Sequence, residues 1–377
     1  MIPASAVQIC HQFNLWFVEH LYQYLVLLYQ NRCKESCDTI SQLVQKCPHS
    51  PFLHCRKGVA FVQLGQFCHA EECFVKARSL DLNIIDNIDV YAWNLRALEK
   101  ASDLNSLCAY LFKTHPYRPE TWISLAICCH LKMELERSLA YCEVAIGLKP
   151  HYQQAHLVKG FICLSELNSV DEHESENVEL LLQEAIKSWK TAYEIDSNSI
   201  VALKGLIDVL LFRNETREAV SLATAFYNKM KSNPFVESLL ATVLLRSGSS
   251  KARQKAQTLF RNALKRFKKE CTPNLACVLG LTDLYQEDSM FQEAVKLLTS
   301  QFDFFSEYSD GPLELSILKR RLGEVYEANR DYQLAMEAYH ESCEFSNQEY
   351  EICMEGLERI GKLMQDERDR RQETPRK

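Results

Sequence analysis

The sequence predicts an all-α fold, a right-handed superhelix of stacked helical hairpins, on three observations. A pattern of small and aromatic residues recurs along the chain, helix formers dominate, and turn residues are scarce. Of 377 residues only 11 are Gly and 10 are Pro, too few for a β fold with its frequent tight turns. Hydrophobic residues make up 47%, enough to build a sizeable core and too many for a disordered chain.

The clearest unit runs from Pro51 to Ile84. It carries Gly58, Phe61, Gly65, Phe67, Ala70, Phe74, Ala77 and Leu80. This fits the 34-residue tetratricopeptide pattern of Gly at position 8, aromatics at 11 and 24, Ala at 20 and Pro near 32. Two antiparallel helices approach to about 8–10 Å only where the crossing residues are small. Gly58 is therefore expected to face Ala70, with the aromatics beside them. The same register holds in both directions. Phe17 to Ser50 places Ser36, Ile40 and Leu43 at core positions and Pro48 at the end, and Ile85 to Arg118 is degenerate but still closes on Pro116. Pro119 to Tyr152 restores the pattern with Trp122, Leu125, Ala126, Ala145, Leu148 and Pro150.

Beyond this point the register carries insertions. The fifth unit starts at Gln153 with Gly160 in place, but its second helix resumes only at Ala185, Trp189 and Ala192. The intervening residues include Asp171, Glu172, Glu174 and Glu176, as suits a solvated loop. Units at Ile200, Pro234, Leu275 and Ser316 follow, the last marked by Leu322, Gly323, Tyr326, Tyr332, Ala335 and Tyr339. The expected organisation is a helical segment over 1–16 and nine repeats over 17–349, with an acidic loop near 168–180. A capping helix over 350–365 and a disordered, charged tail over 366–377 complete it.

The two ends differ. The last helix has an inner stripe of Cys353, Leu357, Ile360 and Met364 and is polar elsewhere, as the end of a solenoid requires. The first helix is apolar all round, with Phe13, Leu15, Trp16, Phe17, Val18, Leu21, Tyr22, Leu25 and Tyr29, and so expects neighbours on both sides. Phe13, Trp16, Phe17 and Leu21 are expected to form an exposed patch unless a partner covers them.

Composition excludes several function classes. A net charge of -7 and a pI near 5.9 leave no overall electrostatic footprint for nucleic acid. The most basic stretch, Lys251 to Lys269, falls on the outside of an amphipathic helix. The apolar run from Phe13 to Tyr29 is interrupted by Glu19, His20 and Gln23, so no membrane span is expected. No secretory signal pattern opens the chain, and its 16 Cys are read as reduced thiols, many at small core positions. Cys33, Cys37, Cys47, His49, His54 and Cys55 lack the tight paired-Cys knuckle of a zinc site. Cys128 and Cys129 beside His130 read as core packing. No phosphate loop, nucleophile elbow or zinc-protease helix occurs, so neither catalytic residues nor a metal or cofactor are expected.

Binding is expected along the inner face, at positions 2, 5, 9 and 12 of each first helix. In the early units these are Leu21, Leu25, Cys55, Val59, Trp93, Ile123, Ile127, Leu157 and Phe161, an apolar groove suited to a helix or extended segment. Later units place Lys204, Asp208, Arg320 and Glu324 there. The Lys and Asn pair by which co-chaperone repeats grip a terminal carboxylate is absent, because Lys204 and Arg320 stand with Asp208 and Glu324.

Several groups of residues outside the generic repeat positions resemble the subunit 7 family of the anaphase-promoting complex. They include Asp89-Val90-Tyr91, Gly205-Leu206-Ile207, Arg217-Glu218-Ala219, Leu239-Leu240-Ala241-Thr242-Val243, Lys255-Ala256, Thr258-Leu259, Tyr332-Gln333, Ala335-Met336 and Glu355-Gly356. The resemblance runs from about Phe13 to Lys362 and implies a non-catalytic scaffold of a mitotic ubiquitin ligase, acting in nucleus and cytoplasm. It also implies stacking on the other tetratricopeptide subunits of that complex, with no nucleic acid or membrane partner. The family's upstream repeats, which form a homodimer, are not in the chain, and this argues against homodimerisation. The acidic residues near 168–180 depart from the family pattern. An adaptor of a transport or chaperone assembly is the alternative, and an enzyme with thiol or zinc chemistry is a third reading. Thr374, followed by Pro375, Arg376 and Lys377, matches the preference of proline-directed kinases.

Overall fold

The structure, a computed structural model, describes residues 4–30, 32–167, 175–230, 233–309 and 311–373, the side chains of 4–13, 175–177, 347 and 366–373 excepted. All regular structure among the described residues is helical. The chain divides into two compact units, 1–236 and 237–377. In the first unit successive hairpins pair α1 (Ala4–Tyr29) with α2 (Cys33–Lys46), α3 (Pro51–Gln63) with α4 (Phe67–Leu80), and α5 (Ile88–Ala97) with α6 (Ala101–Thr114). They continue with α7 (Pro119–Leu131) and α8 (Leu135–Leu148), α9 (Gln153–Leu167) and α10 (Ser175–Ile195), and α11 (Ile200–Phe212) and α12 (Thr216–Lys229). Most of α13 (Pro234–Arg246) opens the second unit. There follow α14 (Ser250–Glu270), α15 (Leu275–Glu287), α16 (Phe291–Tyr308), α17 (Pro312–Ala328), α18 (Tyr332–Phe345) and α19 (Tyr350–Glu373).

The repeat register is visible in the backbone. Gly65, Glu99, Met133, Asn214, Gly248, Ser289 and Arg330 adopt left-handed conformations, with φ from 56° to 75°, and each is the fifteenth residue of its unit. In most units the next amide closes the turn, as where the Gln66 N–H donates to the Phe61 carbonyl at 3.0 Å and Asp331 to Tyr326 at 2.9 Å. This is a left-handed helix stop. Most of these residues are not glycine, so the tight return of the second helix imposes the conformation against the side chain's preference.

A second rule governs packing. The aromatic at position 24 lies against a glycine on its own first helix, on the next first helix, or on both. Trp189 is held between Gly160 and Gly205, and Tyr339 between Gly323 and Gly356. A Cβ added at Gly58 would lie 2.8 Å from the Phe74 ring. The expected aromatic beside the Gly58 crossing is Phe74, with Ala70 buried in the same core cluster. The aromatic ring itself fills the space at Gly58, because a flat side chain occupies the gap that a missing Cβ leaves.

The first core cluster gathers Tyr24, Cys33, Cys37, Ile40, Leu43, Leu53, Ala60 and Leu64, with Trp16, Phe17, Leu21 and Phe235 packed on it. Phe235 reaches it because the first unit curls back on itself, where Asn233 Nδ2 also donates to the Gln30 carbonyl at 3.4 Å. In the second unit Ala335 and Tyr339 pack with Cys353, Ile360, Leu357 and Met364, so the inner stripe of α19 seals the stack.

Three boundaries differ from the sequence reading. Residues 4–16 are continuous with the first repeat helix, since α1 runs unbroken from Ala4 to Tyr29. Part of the expected acidic loop is helix, because α10 begins at Ser175. The capping helix continues past 365 to Glu373. The tail from 366 was expected to be disordered for want of an apolar stripe, and helix propensity overrides that criterion.

Candidate functional site

The inner face of the first unit is built from α3, α5, α7, α9 and α11. The nine expected groove residues divide sharply in burial. Cys55, Ile123 and Ile127 are fully buried in the core shared by neighbouring hairpins, so they cannot touch a partner. Burial also pushes the Cys55 thiol up to about 12. Val59, Trp93, Leu157 and Phe161 are half-buried, as is Leu21, and only Leu25 is exposed. Position 5 lies deep at Cys55 and Ile123, while Leu21 and Leu157 at the same position stay half-buried.

What remains open centres on an aromatic pair. The Trp93 and Phe161 rings meet edge to face at 4.9 Å. The Arg96 guanidinium lies over both, 5.0 Å from the Trp93 ring and 5.1 Å from Phe161. His130 approaches Phe161 at 5.5 Å. Arg96 and His130 both occupy position 12, and a search for apolar residues alone passes over them. Burial lowers the Arg96 pKa from its ordinary value. His130 is pushed down to about 4, first by burial and then by Arg96, so it is neutral at pH 7. Among the described residues Arg96 makes no ion pair, and its Nε is buried without a hydrogen-bond partner.

On the α11 side of Phe161 lies a cavity of about 340 Å³, lined by Phe161, Leu164, Trp189, Val201, Lys204 and Asp208 among others. Lys204 and Asp208 pair across one helical turn at 3.1 Å. Arg56 and Arg78, also half-buried, likewise lie over a ring, Phe52 and Tyr110, each with one nitrogen buried and unpartnered, whereas other half-buried cations are matched. Lys159, nearly buried, is held by Glu143 and Glu184. In the second unit Arg320 pairs with Glu324 and Glu349, and Arg321 with Glu324 and Asp283.

Asp89, at position 5 of its unit, is also deeply placed. It is 3% exposed and accepts a hydrogen bond from the Tyr152 hydroxyl at 2.7 Å. Burial raises its pKa, and the Tyr152 bond opposes the rise. The folded state thus binds the Asp89 proton more tightly than the unfolded chain, whose value is about 3.9. That contribution to stability is complete below about pH 3.9 and is lost as pH rises through the folded value. Asp89→Asn is expected to raise stability by about 1–2 kcal/mol near pH 8 and to change it little near pH 4, read from urea melts at both.

The other candidates resolve as structure. Cys33 and Cys37 are buried under α1, and His54 Nε2 donates to the Pro48 carbonyl at 2.9 Å. Among the described residues no group of three His, Cys, Asp or Glu could hold a metal. Cys108 Sγ donates to the Ser124 carbonyl at 3.3 Å and Cys128 Sγ to Asn105 Oδ1 at 3.1 Å, both as core thiols. On α14 Arg253 pairs with Glu287 and Asp288, and no aromatic stands among its exposed residues. No described helix is long and apolar enough to cross a membrane. Thr374 lies outside the described residues.

The second open surface is on α1. Trp16, Phe17 and Leu21 do not form the exposed patch expected of them, since they turn into the first core cluster. Phe13 is outside the described side chains. The exposed row is instead Leu15, Val18, Tyr22, Leu25 and Tyr29, with the first three at 66%, 64% and 69%. Alternating steps of three and four put all five on one face, the spacing of a helix–helix seam.

Comparison with known proteins finds similarity to subunits of the anaphase-promoting complex. The chain is 28% identical over 291 residues to anaphase-promoting complex subunit 7 of Dictyostelium discoideum, covering 77% of the chain and 45% of that relative. It is 27% identical over 266 residues to subunit 7 of Homo sapiens, covering 71% of the chain and 42% of the relative. The chain therefore spans about half the length of the curated relatives it matches. Its structure is similar to the crystal structure of the APC/C hetero-tetramer Cut9–Hcn1, with a TM-score of 0.57 at 18% identity over 86% of this chain and 58% of that one. That likeness shows the fold, a tetratricopeptide stack. No protein-family model matches the chain.

Proposed function

We propose that the chain is a non-catalytic scaffold subunit of the anaphase-promoting complex, of the subunit 7 type, holding other tetratricopeptide subunits in place during cell-cycle-dependent ubiquitination. The observation that carries this reading is the extent of the likeness to subunit 7, which reaches across 77% of the chain in the slime-mould relative and 71% in the human one. The architecture fits the role. Helical-hairpin stacks offer long surfaces for partners. The apolar row on α1 is of the kind that neighbouring subunits cover.

Affinity purification of the tagged chain from dividing cells tests the assignment. Recovery of the other ligase subunits in fixed ratio is the expected result. Recovery of a transport or chaperone assembly in their place would overturn it and favour a different adaptor.

A further inference from the structure

We propose that the inner face of the first unit binds an extended peptide segment at two adjacent points, a carboxylate on Arg96 and a bulky apolar side chain in the cavity beside Phe161. The inference rests on the scaffold reading only in taking the inner face as a binding face. It holds whichever assembly recruits the chain.

Arg96 carries the first half. A guanidinium stays charged under all physiological conditions, and a half-buried one is ordinarily matched by a carboxylate. Lys159, Arg320 and Arg321 follow that rule, while Arg56 and Arg78 each rest on one ring without a carboxylate. Arg96 rests on two aromatic rings beside a cavity, and its Nε donates to nothing. Contact with ring faces stabilises the charge without using its hydrogen bonds. The planar fork is thereby held in one orientation before any ligand arrives, which lowers the entropic penalty of binding. A carboxylate fits better than a phosphate. The neighbouring His130 is neutral at pH 7, and phosphate recognition relies on clusters of cations.

The cavity supplies the second half. At about 340 Å³, lined by Phe161, Leu164, Trp189 and Val201, it suits a single large apolar side chain. Phe161 belongs to both features, touching Arg96 and bordering the cavity. The two anchors thus lie within a few residues of each other on an extended chain, at about 3.3 Å per residue. The Lys204–Asp208 pair at the rim is neutral overall, so it leaves the acid preference to Arg96.

Selection of a phage-displayed library of random linear peptides against the intact purified chain tests this. Enriched sequences are expected to place Asp or Glu within a few residues of Leu, Ile, Met or Phe. A resynthesised binder should lose affinity by about tenfold or more on Arg96→Met, and equally when its own acid becomes the amide. Arg96→Lys should fall between, because it keeps the charge and loses the planar fork. Val201→Trp fills the cavity from a position 58% exposed, so it should fold normally and weaken the same peptide. Should Arg96→Met not fold by circular dichroism, Val201→Trp and the peptide amide decide. No enrichment of acidic residues, no binder, or affinity indifferent to these changes overturns the proposal. A phosphoserine peptide binding about tenfold tighter than its acidic parent overturns the carboxylate assignment. Co-purification of ligase subunits reads the scaffold reading separately, so failure of one leaves the other standing.

Discussion

Alanine at position 205 is expected to destabilise the first unit by about 3 kcal/mol, at the upper end of overpacking changes. The substitution adds one methyl group, and a Cβ built there would overlap Trp189 Cδ2 and Cε2 more closely than real side chains ever approach. The ring cannot retreat, because Gly160 stands on its other side at 2.6–2.8 Å from a similar virtual Cβ. Trp189 is 4% exposed and is itself the main filling between the fifth and sixth hairpins. Urea denaturation should show a lower midpoint with an unchanged slope. Gly147→Ala is the matched control, since nothing lies within 4 Å of a Cβ there and the site is exposed on α8. It should stabilise by about 0.5–1 kcal/mol through helix propensity alone. Trp189→Phe should recover part of the loss in the Gly205→Ala background, because a smaller ring leaves room for the methyl. Equal effects at 205 and 147 would refute the clamp.

Why some of this was legible in the sequence and some was not follows from what a one-dimensional pattern can carry. Hairpin order, the register of nine units and the sealing stripe of α19 are periodic, and periodicity survives the loss of third-dimensional information. Gly58, Gly160 and Gly323 stood out because position 8 repeats. Gly205 was noted only within the Gly205-Leu206-Ile207 group, because it occupies position 6, and its packing role comes from the Trp189 ring of the preceding hairpin. The left-handed stop at position 15 was hidden for another reason. Glu99, Met133, Ser289 and Arg330 are ordinary residues, and only the fold forces them to positive φ.

The groove was legible as a face and not as a depth. A helical wheel assigns Cys55, Ile123 and Ile127 to the inner side, yet each is buried in the core that neighbouring hairpins share. Covering is a property of how far successive hairpins rotate, which no single unit encodes. Arg96 and His130 were overlooked because a groove sought as apolar discounts charge. The informative fact about Arg96 is a missing partner, and a missing partner cannot be read from a string of residues. On α1 the composition pointed to an open apolar surface but to the wrong half of the helix. Trp16, Phe17 and Leu21 turn inward onto the first core cluster.

The paired substitution Val18→Glu and Tyr22→Glu on α1 is expected to abolish recovery of the ligase subunits with the tagged chain, by about tenfold or more. Both residues are more than three-fifths exposed and sit in the middle of the row from Leu15 to Tyr29. The change should leave folding intact, since surface substitutions away from core contacts usually shift stability by less than about 0.5 kcal/mol. The seam behind them, Tyr24 with its hydroxyl donating to the Arg56 carbonyl at 3.0 Å, is untouched. Two carboxylates at the centre of an apolar interface would have to be desolvated without partners, and that penalty exceeds what the remaining row recovers. Tyr117→Glu serves as the control, because Tyr117 is 84% exposed and stands in the turn between α6 and α7, away from the row. Its recovery should match the unmodified chain. If the paired variant melts normally and still brings down the ligase subunits, α1 is not the docking face, and the partners grip the stack elsewhere.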